Sequence, residues 1–175
     1  MIKRVALALV LPALFSSCGY SLAGRGSFLP AYIRTIGVPM FLNTTPYFEV
    51  EQKLTERVRA EFIGRGKYQV LPQDTGVDAV LKGTISSITV LPASFNTQQQ
   101  GARYVISVTT SIEFRDVMTD KVLWQNSGLV VRQEYDIASG TTALDTTFFG
   151  QESNALERVA TEFAKTVVSA ILEAF

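Results

Sequence analysis

Tyr104-Val105-Ile106-Ser107-Val108-Thr109-Thr110-Ser111-Ile112-Glu113-Phe114 places Tyr104, Ile106, Val108, Ile112 and Phe114 at one parity, and Ser107, Thr109, Ser111 and Glu113 at the other. A period of two with this polarity predicts a β-strand with one face in a core and one face wet. Upstream, residues 79–91 also read as a strand, but the inward set changes parity between Leu81, Gly83 and Ile85 and the later Ile88 and Val90. One extra residue near Ser86-Ser87, a β-bulge, would account for the change. Downstream, Asp116-Val117-Met118-Thr119-Asp120 is a short connection to residues 121–137, where Leu123, Gln125, Ser127, Leu129, Val131, Gln133, Tyr135 and Ile137 share a parity. Long strands joined by short turns form an antiparallel meander.

Outside the meander the period becomes helical. From Phe48 to about Ile63, Val50, Leu54, Val58 and Phe62 recur every fourth position, with charge on the remaining faces. That pattern predicts an amphipathic helix supported by Glu49 with Lys53 and Glu61 with Arg65, and stopped by Gly64 and Gly66. A second helix over residues 152–175 carries Leu156, Val159, Ala160, Phe163, Val167, Val168, Ile171 and Leu172 on one wide stripe. Residues 35–41 suggest a first strand shortened or pushed to an edge by Pro39, Asn43-Thr44-Thr45-Pro46 a turn, and Tyr68–Leu71 a further short strand. The expected fold is α+β, with two helices packed on one face of a mostly antiparallel, roughly four-stranded sheet. The other sheet face is left uncovered. Val122, Trp124 and Val130 read as lying on it, either as a contact for a partner or ligand or as residues at the sheet's end.

The first residues set the address. Lys3 and Arg4 precede an uncharged apolar run from Val5 to Phe15, then Ser16-Ser17-Cys18-Gly19. A basic start, a short apolar middle and small exit residues describe an export signal, too short to remain as a membrane-spanning helix. Phe15-Ser16-Ser17-Cys18 resembles the bacterial lipobox, with Phe15 where leucine is commoner; that likeness implies cleavage after residue 17 and acylation of Cys18. The expected organisation is a signal peptide at 1–17, a lipidated tether at 18–34 and a single α+β domain at 35–175.

Composition narrows the function. Losing residues 1–17 removes Lys3 and Arg4 and no acid, leaving 14 basic residues against 16 acidic ones, which is not the balance of a nucleic-acid binder. Histidine is absent and Cys18 is the only cysteine, so the commonest general base, the commonest metal ligand and any intramolecular disulfide are missing. With no phosphate-cradling glycine loop, no catalytic residue, metal site or cofactor is assigned. The reading is a tethered binding partner, not an enzyme.

Several segments together resemble the lipopolysaccharide-assembly lipoprotein family. They are Cys18-Gly19-Tyr20-Ser21-Leu22, the run Val38-Pro39-Met40-Phe41-Leu42-Asn43-Thr44-Thr45, Glu51-Gln52-Lys53-Leu54-Thr55, Gly66-Lys67-Tyr68-Gln69-Val70, Asp78 to Ile85, and the closing helix. The resemblance implies an outer-membrane lipoprotein facing the periplasm. Its domain would sit as a plug in a large β-barrel translocon, help that barrel assemble, and bind lipopolysaccharide during insertion into the outer leaflet. Gly19 after the cysteine fits outer-membrane sorting. A lipoprotein cofactor of another envelope machine, a secretion-channel subunit or a peptidoglycan-synthase activator, is the competing reading. Loops at 92–103 and 138–151, the latter with Phe148-Phe149, read either as reaching the barrel wall or, respectively, as a hairpin tip and a hydrophobic staple onto the last helix. Anionic groups on lipopolysaccharide would need cations, and Lys82, Arg103, Lys121 and Arg132, on or beside strands, are the available candidates.

Overall fold

The computed structural model describes residues 29–65, 67–95, 101–136 and 153–174. The expected signal peptide at 1–17, Cys18, the first part of the expected tether, Gly66, the tip with Gln98-Gln99-Gln100, and residues 138–151 lie outside the described residues. In chain order the elements are β1 (Thr35–Gly37), β2 (Leu42–Asn43), α1 (Val50–Gly64), β3 (Gln69–Leu71), β4 (Ala79–Phe95), β5 (Gly101–Asp116), β6 (Val122–Asp136) and α2 (Ser153–Glu173).

These strands form one six-stranded sheet in the order β3-β1-β4-β5-β6, with β2 also paired to β4. The sheet is mixed, which corrects the expected four-stranded and mostly antiparallel arrangement. β4, β5 and β6 form the antiparallel meander, whereas β1 pairs parallel with both β3 and β4, and β2 pairs parallel with β4. Pro39 follows β1, so the strand expected at 35–41 ends at Gly37, and a second short strand forms beyond it at Leu42–Asn43, running into the expected turn, with both along the same side of β4. The parallel β1–β3 pair arises because α1 is the crossover that returns the chain to β3 alongside β1.

Both helices cover one face. Val50, Leu54, Val58 and Phe62 of α1 are fully buried, as are Val159, Ala160, Phe163, Val167, Val168 and Ile171 of α2. They pack on Ile36, Leu81, Ile85, Ile106, Val108, Ile112 and Phe114 of the sheet in one contiguous core. Phe41 meets Phe163 edge-on at a centroid distance of 6.1 Å, joining the β1–β2 segment to α2. Each such side chain taken from water contributes about 1.5–3 kcal/mol. At the helix surfaces Arg57 pairs with Glu157 at 3.2 Å, and Arg65 with Glu61 at 3.0 Å. The anticipated Glu49–Lys53 pair does not form, because Glu49 stands just outside the helix in the left-handed region at φ 67°.

The expected bulge in β4 is present. Ile85 pairs with Thr110 and Ser87 with Thr109, leaving Ser86 as the extra residue, its hydroxyl donating to the Thr109 carbonyl at 3.2 Å. β6 differs from its sequence reading. Between Thr110 and Ile112 of β5 it advances by three residues, from Leu129 to Asn126, and between Phe114 and Arg115 by two, from Trp124 to Val122. The two extra residues change the parity of β6 twice, so Trp124 lies opposite Phe114 and packs on the core instead of lying on the open face.

Part of the expected tether also belongs to the folded unit. Leu29 and Ile33 are buried in the core, and the Tyr32 hydroxyl donates to the buried Asp116 carboxylate. Asp116 accepts further bonds from the backbone N–H groups of Met118 and Thr119 and from the Thr119 hydroxyl, which hold it below the usual carboxylate range, the Tyr32 bond being the largest cause. This latch fixes the N-terminal segment to the β5–β6 turn.

Candidate functional site: the open face of the sheet

Directly opposed residues on antiparallel strands point to the same side, so the register maps the uncovered face row by row. At one end Lys82, Glu113 and Gln125 lie across β4, β5 and β6. Next come Thr84 beside Ser111, then Ser87, Thr109 and Val130, then Thr89, Ser107 and Arg132. Leu91, Val105 and Glu134 follow, and Ser94 with Arg103 closes the face. Its centre is therefore a field of six hydroxyls, Thr84, Ser87, Thr89, Ser107, Thr109 and Ser111. Apolar Leu91 and Val130 are exposed at 64% and 39%, and charge stands at both ends.

Much of that charge is neutralised in place. Lys82 faces Asp74 at 3.4 Å and Arg103 faces Glu134 at 3.7 Å. Arg115 bridges Glu113 and Asp120, each at 2.9 Å, and the two carboxylates raise its already high pKa. Arg132 lies in the open among hydroxyls and has no ion pair among the described residues; Lys121, exposed just before β6, likewise has no ion pair among them.

The four cations expected to meet an anionic ligand are not gathered into one cluster. Lys82 sits opposite Glu113, ten residues along β5 from Arg103, which is roughly 33 Å at strand rise. Lys121 stands at the Lys82 end, where its carbonyl accepts the Asp116 N–H at 2.9 Å. Arg132 lies opposite Ser107, four residues along from Arg103, or about 13 Å. Two ends of a long polar face carry them, so an anionic ligand reaching all four must be extended.

At one border of the sheet the segment from Val38 to Glu51 is held rigid. The Asn43 side chain donates to the Tyr47 carbonyl and to Glu51 at 2.6 and 2.7 Å, and accepts from the N–H and hydroxyl of Thr45. Thr44 donates twice to the Ile85 carbonyl, and the Arg59 guanidinium donates two bonds to the Val38 carbonyl. Asn43-Thr44-Thr45, a quoted likeness segment, is thus the fastening of β2 to β4, with Asn43 serving as both acceptor and donor.

Comparison with known proteins fits this geometry. No curated protein is significantly similar in sequence to the chain. A hypothetical protein from Chlamydia trachomatis aligns over 81% of this chain and 97% of its own, at 11% identity and TM-score 0.54. A protein from Xanthomonas campestris aligns over 83% and 90%, at 14% identity and TM-score 0.52. At these identities they establish the fold alone. The rare lipoprotein B from Shewanella oneidensis aligns over 81% and 92%, at 16% identity and TM-score 0.43. Residues 33–171, nearly the whole of the described domain, match the LptE family, described as lipopolysaccharide-assembly, and the chain belongs to that family.

Proposed function

We propose that the chain is an outer-membrane lipoprotein, cut after residue 17 and acylated on Cys18, whose domain seats in the lumen of a β-barrel lipopolysaccharide translocon. There it helps the barrel assemble and contacts lipopolysaccharide during insertion into the outer leaflet. Membership of the lipopolysaccharide-assembly family supplies the pathway. The observation that carries the seating is the uncovered sheet face. A surface of six hydroxyls with charge at its ends suits the hydrated wall of a barrel interior, which is polar. The same face offers hydroxyls and the open Arg132 to sugar and phosphate groups, whose planar anions match a guanidinium fork. No catalytic step is assigned, and the chain acts by binding.

The decisive experiment is solubilisation of the membrane followed by capture on the tagged lipoprotein. A large β-barrel protein recovered with lipopolysaccharide supports the proposal; a ring-forming secretion channel or a peptidoglycan synthase replaces it. For the ligand, Arg132→Gln together with Lys121→Gln is expected to weaken lipopolysaccharide binding in vitro while the thermal midpoint stays unchanged. Unchanged affinity removes these two cations from the site.

A further inference from the structure

A second feature lies away from the open face, where the chain enters the domain. β1 and β3 pair parallel with Thr35 opposite Gln69, and the Gln69 N–H donates to the Arg34 carbonyl at 2.9 Å. That register brings the segment before β1 alongside the segment before β3. Between them lies a cleft of about 500 Å³, open to solvent, with Pro30 and Ala31 supplying apolar surface above the buried Leu29 and Ile33, and Arg34, Lys67 and Tyr68 among its other lining residues. Burial raises the Tyr68 pKa, and its ring stands edge-on to Phe62 at 6.5 Å, so this wall is fixed by the core.

The two cations are uncommitted. Arg34 and Lys67 are both exposed, and among the described residues neither side chain forms a hydrogen bond or ion pair. Asp78 is the carboxylate beside Arg34, but its Oδ2 accepts the Arg34 N–H, the Thr35 N–H and the Thr35 hydroxyl at 2.8–2.9 Å. Those bonds hold Asp78 below the usual carboxylate range, and the Arg34 charge is the smallest contributor. The guanidinium is therefore free to meet something else. A pair of cations over an apolar cleft fits an anionic group joined to an apolar body.

We propose that this cleft binds the phosphate ester of an anionic phospholipid headgroup, with Arg34 and Lys67 on the phosphate and Pro30 and Ala31 against the glycerol and upper acyl chain. The lipid source follows from where the cleft sits. Leu29 follows Cys18 by eleven residues, a reach of about 35–40 Å when fully extended. The cleft is thus tethered within range of the leaflet that holds the anchor, and a basic site next to a lipid anchor is a second membrane contact. This source rests on the proposed acylation of Cys18; the phosphate chemistry of the cleft does not.

The test uses the full mature chain carrying Cys18→Ala, so that no acyl chain or detergent is present, with its thermal midpoint as the folding control. Amide resonances of Arg34, Lys67 and Tyr68 are followed while monomeric short-chain phosphatidylglycerol, short-chain phosphatidylcholine or inorganic phosphate is added. Saturable shifts with phosphatidylglycerol, at least about tenfold tighter than with the other two, support the site. Arg34→Gln and Lys67→Gln are each expected to weaken that binding about tenfold, and Lys67→Arg to restore it. Equal binding of phosphate overturns the lipid source, equal binding of phosphatidylcholine overturns the selection of an anionic headgroup, undiminished binding by Arg34→Gln and Lys67→Gln overturns the role of the cations, and absence of shifts overturns the site. Failure to capture a barrel while phosphatidylglycerol still binds removes only the plug reading.

Discussion

Three residues, Gly37 in β1, Asp78 just before β4 and Asp116 at the end of β5, show how little slack the fold has. Gly37 packs where a Cβ would stand 2.3 Å from the Gln73 carbonyl oxygen and 3.0 Å from a Val77 methyl, so no side chain fits without moving backbone. Gly37→Ala is expected to cost about 1–3 kcal/mol, read from urea unfolding; a change within about 0.5 kcal/mol would show that the β3–β4 connection yields freely. Asp116 and Asp78 make the domain acid-sensitive in a defined direction. Each carboxylate is held below its ordinary pKa by hydrogen bonds that only the folded chain supplies, from Tyr32 first for Asp116 and from the Arg34 N–H first for Asp78. A folded pKa below the unfolded one gives stability that is fully present above about pH 4 and is lost as pH falls through the folded value. The thermal midpoint should therefore drop on acidification below about pH 4. Asp116→Asn should start lower at pH 7 and lose less over the same interval. Parallel pH curves for the two proteins would remove the latch from the account.

At the level of elements, the bulge at Ser86 is what lets one strand serve a core with two parities. Deleting Ser86 would turn Ile88 and Val90 to the hydroxyl face, or turn Leu81 and Ile85 there instead. Loss of two buried aliphatic side chains costs on the order of 3–6 kcal/mol. That approaches the whole stability of an ordinary domain, so the deletion variant is expected to be largely unfolded by circular dichroism. A cooperative melt close to that of the parent would mean the register slips without penalty. The strict alternation from Tyr104 to Phe114 was legible because nothing interrupts it, and the β4 bulge because apolar residues change parity around two serines. β6 was misread because its extra residues fall where an unbroken alternation could still be traced through Leu123, Gln125, Ser127 and Leu129; Gly128 was the available warning. The parallel pairing of β1, β2 and β3 leaves no local mark, since a strand's pattern encodes its buried face and not its neighbour. The Arg34–Lys67 cleft depends on that pairing and was invisible for the same reason. The outward direction of Lys82, Arg103 and Arg132 followed from parity, whereas their spread over the face followed only from register.

For the whole molecule, Leu29 to Leu172 close into one contiguous core, so the proposed anchor and this domain are expected to behave as separable physical units. Acyl chains on Cys18 would supply membrane affinity of about 0.8 kcal/mol per buried methylene and no packing to the fold. The Cys18→Ala chain is accordingly expected to unfold within about 0.5 kcal/mol of the lipidated protein, measured in urea. A clearly less stable variant would mean that residues near the anchor pack on the domain. The same substitution separates address from seating. If the open sheet face supplies the contact with the barrel, a Cys18→Ala chain delivered to the periplasm still captures the barrel once the two meet, at lower yield because tethering no longer raises its local concentration. Overexpression should restore that yield. Loss of capture at every expression level would make the lipid itself part of the interface, and the hydroxyl face would then be a solvated surface.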